Sequence, residues 1–152
     1  MDVTVREARP DDGPALARLR WEWSEDDPRR VPYDDFERDF LAFWADALAG
    51  GRWHAFVGEV DGRVASTIWV YRVPKVPRPH PEASAYGYVT NVYTDPVYRN
   101  AKAGTAILQR VVEWGREQGL EGLYVSPSDD SVPFYERAGF RWSEQWMEIL
   151  YE

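Results

Sequence analysis

The tightest constraint on this chain is a strand that must hand over to a helix through a short basic loop, within residues 86–119. Residues 86–94 are rich in β-branched and aromatic types (Tyr86, Tyr88, Val89, Val92, Tyr93), which suit a pleated, buried surface. Asp95 and Pro96 end that strand, because proline has no N–H to give a ladder. From Ala103 or Gly104 onward, Ile107, Leu108, Val111, Val112 and Gly115 recur at helical spacing until Gly119, a residue suited to the left-handed backbone that closes a helix. The loop between carries Arg99, Asn100, Ala101 and Lys102. A helix start leaves N–H groups unpaired at the positive end of its dipole, so this junction predicts a site for a phosphate or diphosphate.

Charge and composition narrow the function classes. Eighteen basic against 26 acidic residues leave a net charge of −8, which argues against nucleic acid and against an anionic membrane surface. A cationic partner suits that field, and the acidic run Glu25, Asp26, Asp27 marks one rim toward which it would be drawn. The chain has no cysteine and two histidines, His54 and His80, so a thiol nucleophile is excluded and a histidine metal cluster is not expected. No apolar run approaches the ~18 residues of a membrane span, and residues 1–3 carry no secretory signal pattern, so the chain reads as soluble and cytoplasmic.

Taken in order, the remaining segments build a layered fold. Residues 3–8 alternate as a half-buried strand, and Pro10, Asp11 and Asp12 prepare a helix over 13–24 with Ala15, Leu16, Leu19 and Trp23 inward. A second helix from about residue 33 presents Phe36, Phe40, Phe43, Trp44, Ala47 and Leu48, a face read as core packing with one edge left for an acceptor pocket. Residues 53–60 and 63–73 flank Asp61-Gly62 as a hairpin. The segment with Pro74, Pro77, Pro79 and Pro81 arches over the surface as a stiff connector or a lid. A strand at 122–126, a short helix at 131–138 capped by Gly139, and one or two closing strands over 140–150 complete the chain. The expected architecture is a single α/β domain, 1–152, with a mixed, mostly antiparallel sheet of six or seven strands flanked by about four helices on both faces.

Two motifs then carry a family resemblance. Arg99-Asn100-Ala101-Lys102-Ala103-Gly104 resembles the acyl-CoA diphosphate loop of the GCN5-related N-acetyltransferases (GNAT), whose pattern is Arg or Gln, two residues, Gly, one residue, then Gly or Ala. Lys102 stands where the pattern has its first glycine, so it either offers its ammonium to a phosphate or obstructs the close approach that glycine allows. Downstream, Tyr135-Glu136-Arg137-Ala138-Gly139-Phe140 resembles the closing signature of the same family. A P-loop, the rival source of a phosphate signal, needs adjacent Gly, Lys and Ser/Thr after an earlier Gly, and that spacing is absent.

The resemblance implies a GNAT-like fold that moves an acetyl group from acetyl-CoA, as acyl-donor cosubstrate without a metal, to a primary amine of a small molecule. It implies that Val92, Tyr93 and Thr94 pair with the pantetheine arm and that Arg99, Asn100, Ala101, Lys102, Ala103, Gly104, Thr105 and Ser128 surround the cofactor. Tyr135 would be the general acid for the departing thiolate. Glu25, Tyr33 and Asn91 are the candidate acceptor-side residues, and the base stays open among Asn91 through a water, Glu25 and Glu82. The chain would act as a monomer or homodimer. The alternative is a non-catalytic acyl-CoA sensor or interaction module whose phosphate loop has degenerated at Lys102.

Overall fold

A computed structural model describes residues 1–79, 81 and 85–151. In chain order, β1 (Val3–Glu7) leads through a 3-10 turn (Pro10–Asp12) into α1 (Gly13–Trp23) and α2 (Tyr33–Gly50); β2 (Trp53–Val60) and β3 (Arg63–Pro74) follow. Then come β4 (Ala85–Thr94), a 3-10 turn (Pro96–Ala101), α3 (Ala103–Glu117), β5 (Leu123–Val125), a 3-10 turn (Asp129–Ser131) and α4 (Val132–Arg137). The sheet runs β1-β2-β3-β4-β5, with the first three pairings antiparallel and β5 parallel to β4. The β2–β3 hairpin closes at Asp61 (φ 50°) and Gly62 (φ 81°), two left-handed residues whose twist matches that of the strands they join.

Both sheet faces are covered, and strand alternation decides which side chain goes where. Phe56, Ile68, Val70 and Val89 point to one face and pack with Ile107, Leu108, Val111 and Trp114 of α3 and with Tyr135 of α4. Their neighbours Ala55, Val57 and Trp69 point to the other face, against Leu16 of α1 and Trp44 and Ala47 of α2. A third cluster seats the turn before α3: Tyr98 and Ala101 pack on Val60, Ala65 and Ala103. The start of α1 is tied to the sheet by charge. Arg6 of β1 donates to both carboxylate oxygens of Asp12 (2.7 and 3.0 Å) and to Glu59 of β2 (2.7 Å), while the Arg9 amide adds a 2.6 Å bond to Asp12.

Three expectations need correction. The sheet has five strands among the described residues, not six or seven, because residues 141–151 form no strand. That segment has strand-like composition, but strand propensity measures fit to a half-buried pleated surface. Here the tail meets the body through rings, Trp146 against Tyr86 (6.0 Å) and Tyr124 (5.3 Å), with Met147, Ile149 and Leu150 left exposed. In α1, Trp23 is 46% exposed, and Ala17 takes the inward place expected of it. In α2, Phe43 and Leu48 are each 42% exposed, so the buried stripe is narrower than the aromatic content suggests.

The Arg6–Asp12 pair yields a stability prediction. The Arg6 hydrogen bonds, against the opposing effect of burial, hold the Asp12 carboxyl below its ordinary 3.8. A carboxylate lowered in the folded state stabilises above its unfolded pKa, and that contribution drains as acid protonates it. Asp12→Asn is therefore expected to lose about 2 kcal/mol at pH 7, read by urea unfolding, and to narrow its gap to the parent as pH falls below about 4. A gap that is constant between pH 7 and pH 3 would contradict the ion pair.

Candidate active site

One irregularity in β4 shapes the site. Thr67 of β3 pairs with Tyr93 and Trp69 pairs with Thr90, so Asn91 and Val92 together face the single residue Ile68. This is a β-bulge, and Asn91 sits in the left-handed region at φ 51°, which asparagine tolerates better than most residues. Pairing resumes at once on the β3 side, where the Ser66 hydroxyl lies 2.7 Å from Thr94 Oγ1 and donates to the Tyr93 carbonyl (3.2 Å). On the other side, β5 pairs only with residues 87–89. Among the described residues, the backbone of Val92, Tyr93 and Thr94 therefore has no strand partner on its β5-facing edge.

Beyond Thr94 the chain prepares a helix start. Asp95 accepts a hydrogen bond from the Val97 amide (3.0 Å) and so caps the 3-10 turn Pro96–Ala101. Lys102 then takes φ 60°, ψ 29° and becomes the N-cap of α3. The first bond into α3 runs from the Ala106 amide to the Lys102 carbonyl (3.2 Å), which leaves the amides of Ala103, Gly104 and Thr105 without intrahelical partners. Arg99, Asn100 and Lys102 are exposed around them, with Arg99 Nε 3.4 Å from the Thr94 carbonyl. A side chain at Gly104 would lie 3.2 Å from Thr94 Oγ1, so glycine keeps the β4 end and the α3 start close together. Three free amides, the helix dipole and flanking cations fit a diphosphate. Ser128, after β5, is exposed and its hydroxyl donates to Ser131 Oγ (3.0 Å).

Tyr135 is 6% exposed, with its ring between Phe134 (5.0 Å) and Phe140 (5.5 Å). Burial pushes its phenol up to about 12. Its hydroxyl makes no hydrogen bond to the described protein, and the residue borders a cavity of about 1390 Å³ between β5, the end of α3 and residues 140–148.

A second cavity, about 240 Å³, lies on the opposite sheet face beneath α1 and α2. Asn91 and Tyr93 of the bulged strand form one wall, Thr67 and Trp69 of β3 the floor, and Trp23, Phe40 and Phe43 the helical side. Arg20 is the one charged group among its lining residues; its guanidinium lies 4.5 Å from the Trp23 ring. Trp23 in turn stacks on Tyr93 at 6.2 Å. None of the described lining residues is a carboxylate or a histidine.

Of the expected acceptor-side residues, the fold brings only Asn91 to this cavity. Tyr33 packs on Trp21 (5.2 Å) and donates to Glu37 (2.8 Å). Glu25 lies exposed past the end of α1, and in the same run Asp27 is paired with Arg29 at 3.0 Å. Glu82 lies outside the described residues. Sequence reading missed Arg20, Trp23, Thr67 and Trp69; the available signal was the concentration of rings in α2, read mainly as core. Among the described residues no group of three or more His, Cys, Asp or Glu could hold a metal, and no helix is long and apolar enough to cross a membrane.

Comparison with known proteins gives consistent findings. The profile of the family described as Acetyltransferase (GNAT) family matches residues 15–140. The glucosamine 6-phosphate N-acetyltransferase of Trypanosoma brucei brucei is 32% identical over 94 residues, and the chain spans about 62% of that relative's length, with the match covering 62% of this chain. A Trypanosoma brucei acetyltransferase structure superposes with a TM-score of 0.75 at 26% identity, over 99% of this chain and 100% of that one. The structure of a predicted acetyltransferase with acetyl-CoA from Clostridium acetobutylicum gives 0.77 at 22% identity, over 98% and 96%.

The left-handed backbone at Lys102 has a measurable consequence. A lysine held there costs about 1 kcal/mol that glycine avoids, partly offset by the greater freedom of glycine when unfolded. Lys102→Gly is expected to match or exceed the parent in urea unfolding, and the β-branched Lys102→Val to fall below it by about 1 kcal/mol. The reverse order would mean that the backbone here is not left-handed in solution.

Proposed function

Because this chain belongs to the acetyltransferase (GNAT) family, we propose that it transfers an acetyl group from acetyl-CoA to the primary amine of a small molecule, with Tyr135 as general acid. The observation that carries this reading is the bulged β4, which parts from β5 directly beside the unpaired amides of α3. The glucosamine 6-phosphate N-acetyltransferase relative acts on an amine of the proposed class.

When bound, acetyl-CoA supplies an acetyl group activated as a thioester, and its transfer to an amine releases the CoA thiol. The edge of Val92, Tyr93 and Thr94, without a strand partner among the described residues, would pair with the pantetheine arm as an added strand does. The amides of Ala103, Gly104 and Thr105 would hold the diphosphate, with Arg99, Asn100, Ala101 and Lys102 beside them and Ser128, after β5, as a further contact. At Lys102 the left-handed backbone supports the accommodating alternative, since the lysine adopts the conformation for which a glycine is usually required and its ammonium stays exposed. Tyr135 holds a proton on its phenol oxygen throughout the working range, because burial keeps the anion disfavoured.

No carboxylate or histidine borders the acceptor cavity among the described residues, and His54 packs on Trp114 (4.7 Å) on the other face. Of the base candidates Asn91, Glu25 and Glu82, Asn91 is the one that lines the cavity among the described residues, which favours a water oriented by Asn91 as the first acceptor of the amine's proton. A second reading, a non-catalytic acyl-CoA sensor, draws on Lys102 replacing the glycine of the phosphate loop. Release of CoA thiol with an amine panel separates the two, since a sensor gains thermal stability from acetyl-CoA and shows no turnover.

Two outcomes are expected. Tyr135→Phe keeps the ring and removes the proton, so it should lower kcat by about 10²-fold while the acetyl-CoA melting shift survives; unchanged kcat assigns Tyr135 to packing alone. In the parent, kcat/KM should rise with pH as the amine deprotonates and show no falling limb below about pH 10, because the Tyr135 phenol sits near about 12. A falling limb near pH 8–9 that survives in Tyr135→Phe would point to a different acid.

A further inference from the structure

We propose that the acceptor cavity selects an arylalkylamine, a flat aromatic ring joined by a short chain to a primary amine, rather than a sugar phosphate or a polyamine. This rests on the transferase reading for its chemistry, but its argument comes from the cavity alone.

The walls are aromatic and arranged as a box. Trp69, 6% exposed, forms the floor and meets Phe40 edge-on at 6.1 Å and 88°, Phe43 at 6.0 Å and Trp53 at 5.9 Å and 79°. Trp23 on the helical side stacks on Tyr93 of the β4 wall. Two of these rings are held partly in solvent, Trp23 at 46% and Phe43 at 42%, although each is large enough to have been buried. Apolar surface kept open around a concave volume is what an apolar ligand requires. The volume also fits: an apolar cavity of about 150 Å³ accommodates benzene, and this one offers about 240 Å³, enough for a ring and a two-carbon chain.

Four of the described lining residues are polar, Arg20, Thr67, Asn91 and Tyr93, and three of them already have a hydrogen-bond partner on the protein. The Thr67 hydroxyl donates to the Phe56 carbonyl (3.0 Å), Asn91 Nδ2 to Thr90 Oγ1 (3.3 Å), and Arg20 to Ser24 while lying over Trp23. A sugar ring would meet few free partners there beyond the Asn91 carbonyl oxygen and the Tyr93 hydroxyl, and a phosphate would meet one cation among the described lining residues, Arg20. A polyamine would need carboxylates, and none of the described lining residues is one, the charges of Glu22 and Glu25 reaching only as far as the Tyr93 phenol. An aryl group fills the box edge-to-face, and its chain directs the amine toward Asn91 at the bulge. There the amine nitrogen bonds the acetyl carbon as the C–S bond breaks; the nitrogen's proton passes to water and the sulfur takes one from Tyr135.

The test compares 2-phenylethylamine and tryptamine with glucosamine 6-phosphate and spermidine at fixed acetyl-CoA, reading CoA thiol release, and separately measures tryptamine binding by calorimetry. Arylalkylamines are expected to exceed the other two by at least about tenfold in kcat/KM. Phe43→Ala and Trp23→Ala, both at partly exposed positions, should each raise KM for 2-phenylethylamine about tenfold with kcat little changed, and Phe43→Leu should recover part of the loss. Equal or better turnover of glucosamine 6-phosphate or spermidine overturns the inference and leaves the transferase reading standing. Tryptamine bound in the box without turnover of any amine upholds the cavity and sinks the transferase reading; no binding and no arylalkylamine turnover sinks the inference.

Discussion

The site depends on one extra residue in β4. With Asn91 and Val92 set against Ile68, the strand bends where it would otherwise continue alongside β5. The bulge cannot relax, because Ile68 is fully buried on one side and the Ser66 bonds to Tyr93 and Thr94 restore the ladder immediately after it. A free backbone edge and the wall of the smaller cavity thus come from consecutive residues of the same strand. Their proximity is a property of backbone geometry before it is one of side chains.

The two helical layers divide the work that follows from this split. On the face of α3 and α4, Ile107, Leu108 and Val111 anchor α3 so that its N-terminus meets the end of β4, and Tyr98 and Ala101 pin the intervening turn on Val60 and Ala65. The charged loop can therefore remain exposed without being loosely held. On the other face, α1 and α2 bury Leu16, Trp44 and Ala47 against the sheet but leave their outer rings uncovered. Trp69 belongs to both tasks, closing the core with Trp44 (5.5 Å) and flooring the cavity with Phe40 and Phe43. A substitution there would confound stability with binding, which makes the partly exposed Phe43 and Trp23 the more informative positions.

Local signals fixed much of this in advance. Asp61-Gly62 needs two left-handed residues and adopts them, and the strand over residues 86–94, its Pro96 stop and the helix from Ala103 follow composition and periodicity closely. Membership of the family was legible because the spacing of the α3 loop and of the segment around Tyr135 resembles its pattern. Glu25 and Tyr33 do not line the smaller cavity, because charge and chain position say nothing of direction: Tyr33, at the start of α2, turns back onto Trp21 and Glu37. The closing strands over 140–150 did not form although β5 is an edge strand paired only with β4, since strand-like composition does not by itself make a ladder, and the tail meets the sheet through the Trp146 ring instead.

What the sequence determined by itself was the alternation, the turns and the unpaired amides of a helix start, all set by backbone chemistry over a few residues. What only the tertiary structure decided was which rings stay open. In α2 the same periodicity that buries Trp44 leaves Phe43 at 42% exposed, and in α1 it leaves Trp23 at the cavity mouth. Helical spacing fixes which residues share a stripe, but how far that stripe is covered depends on the angle at which the helix meets the sheet. That angle is set by contacts between elements far apart in the chain, Leu16 with Trp44 and both with Trp69.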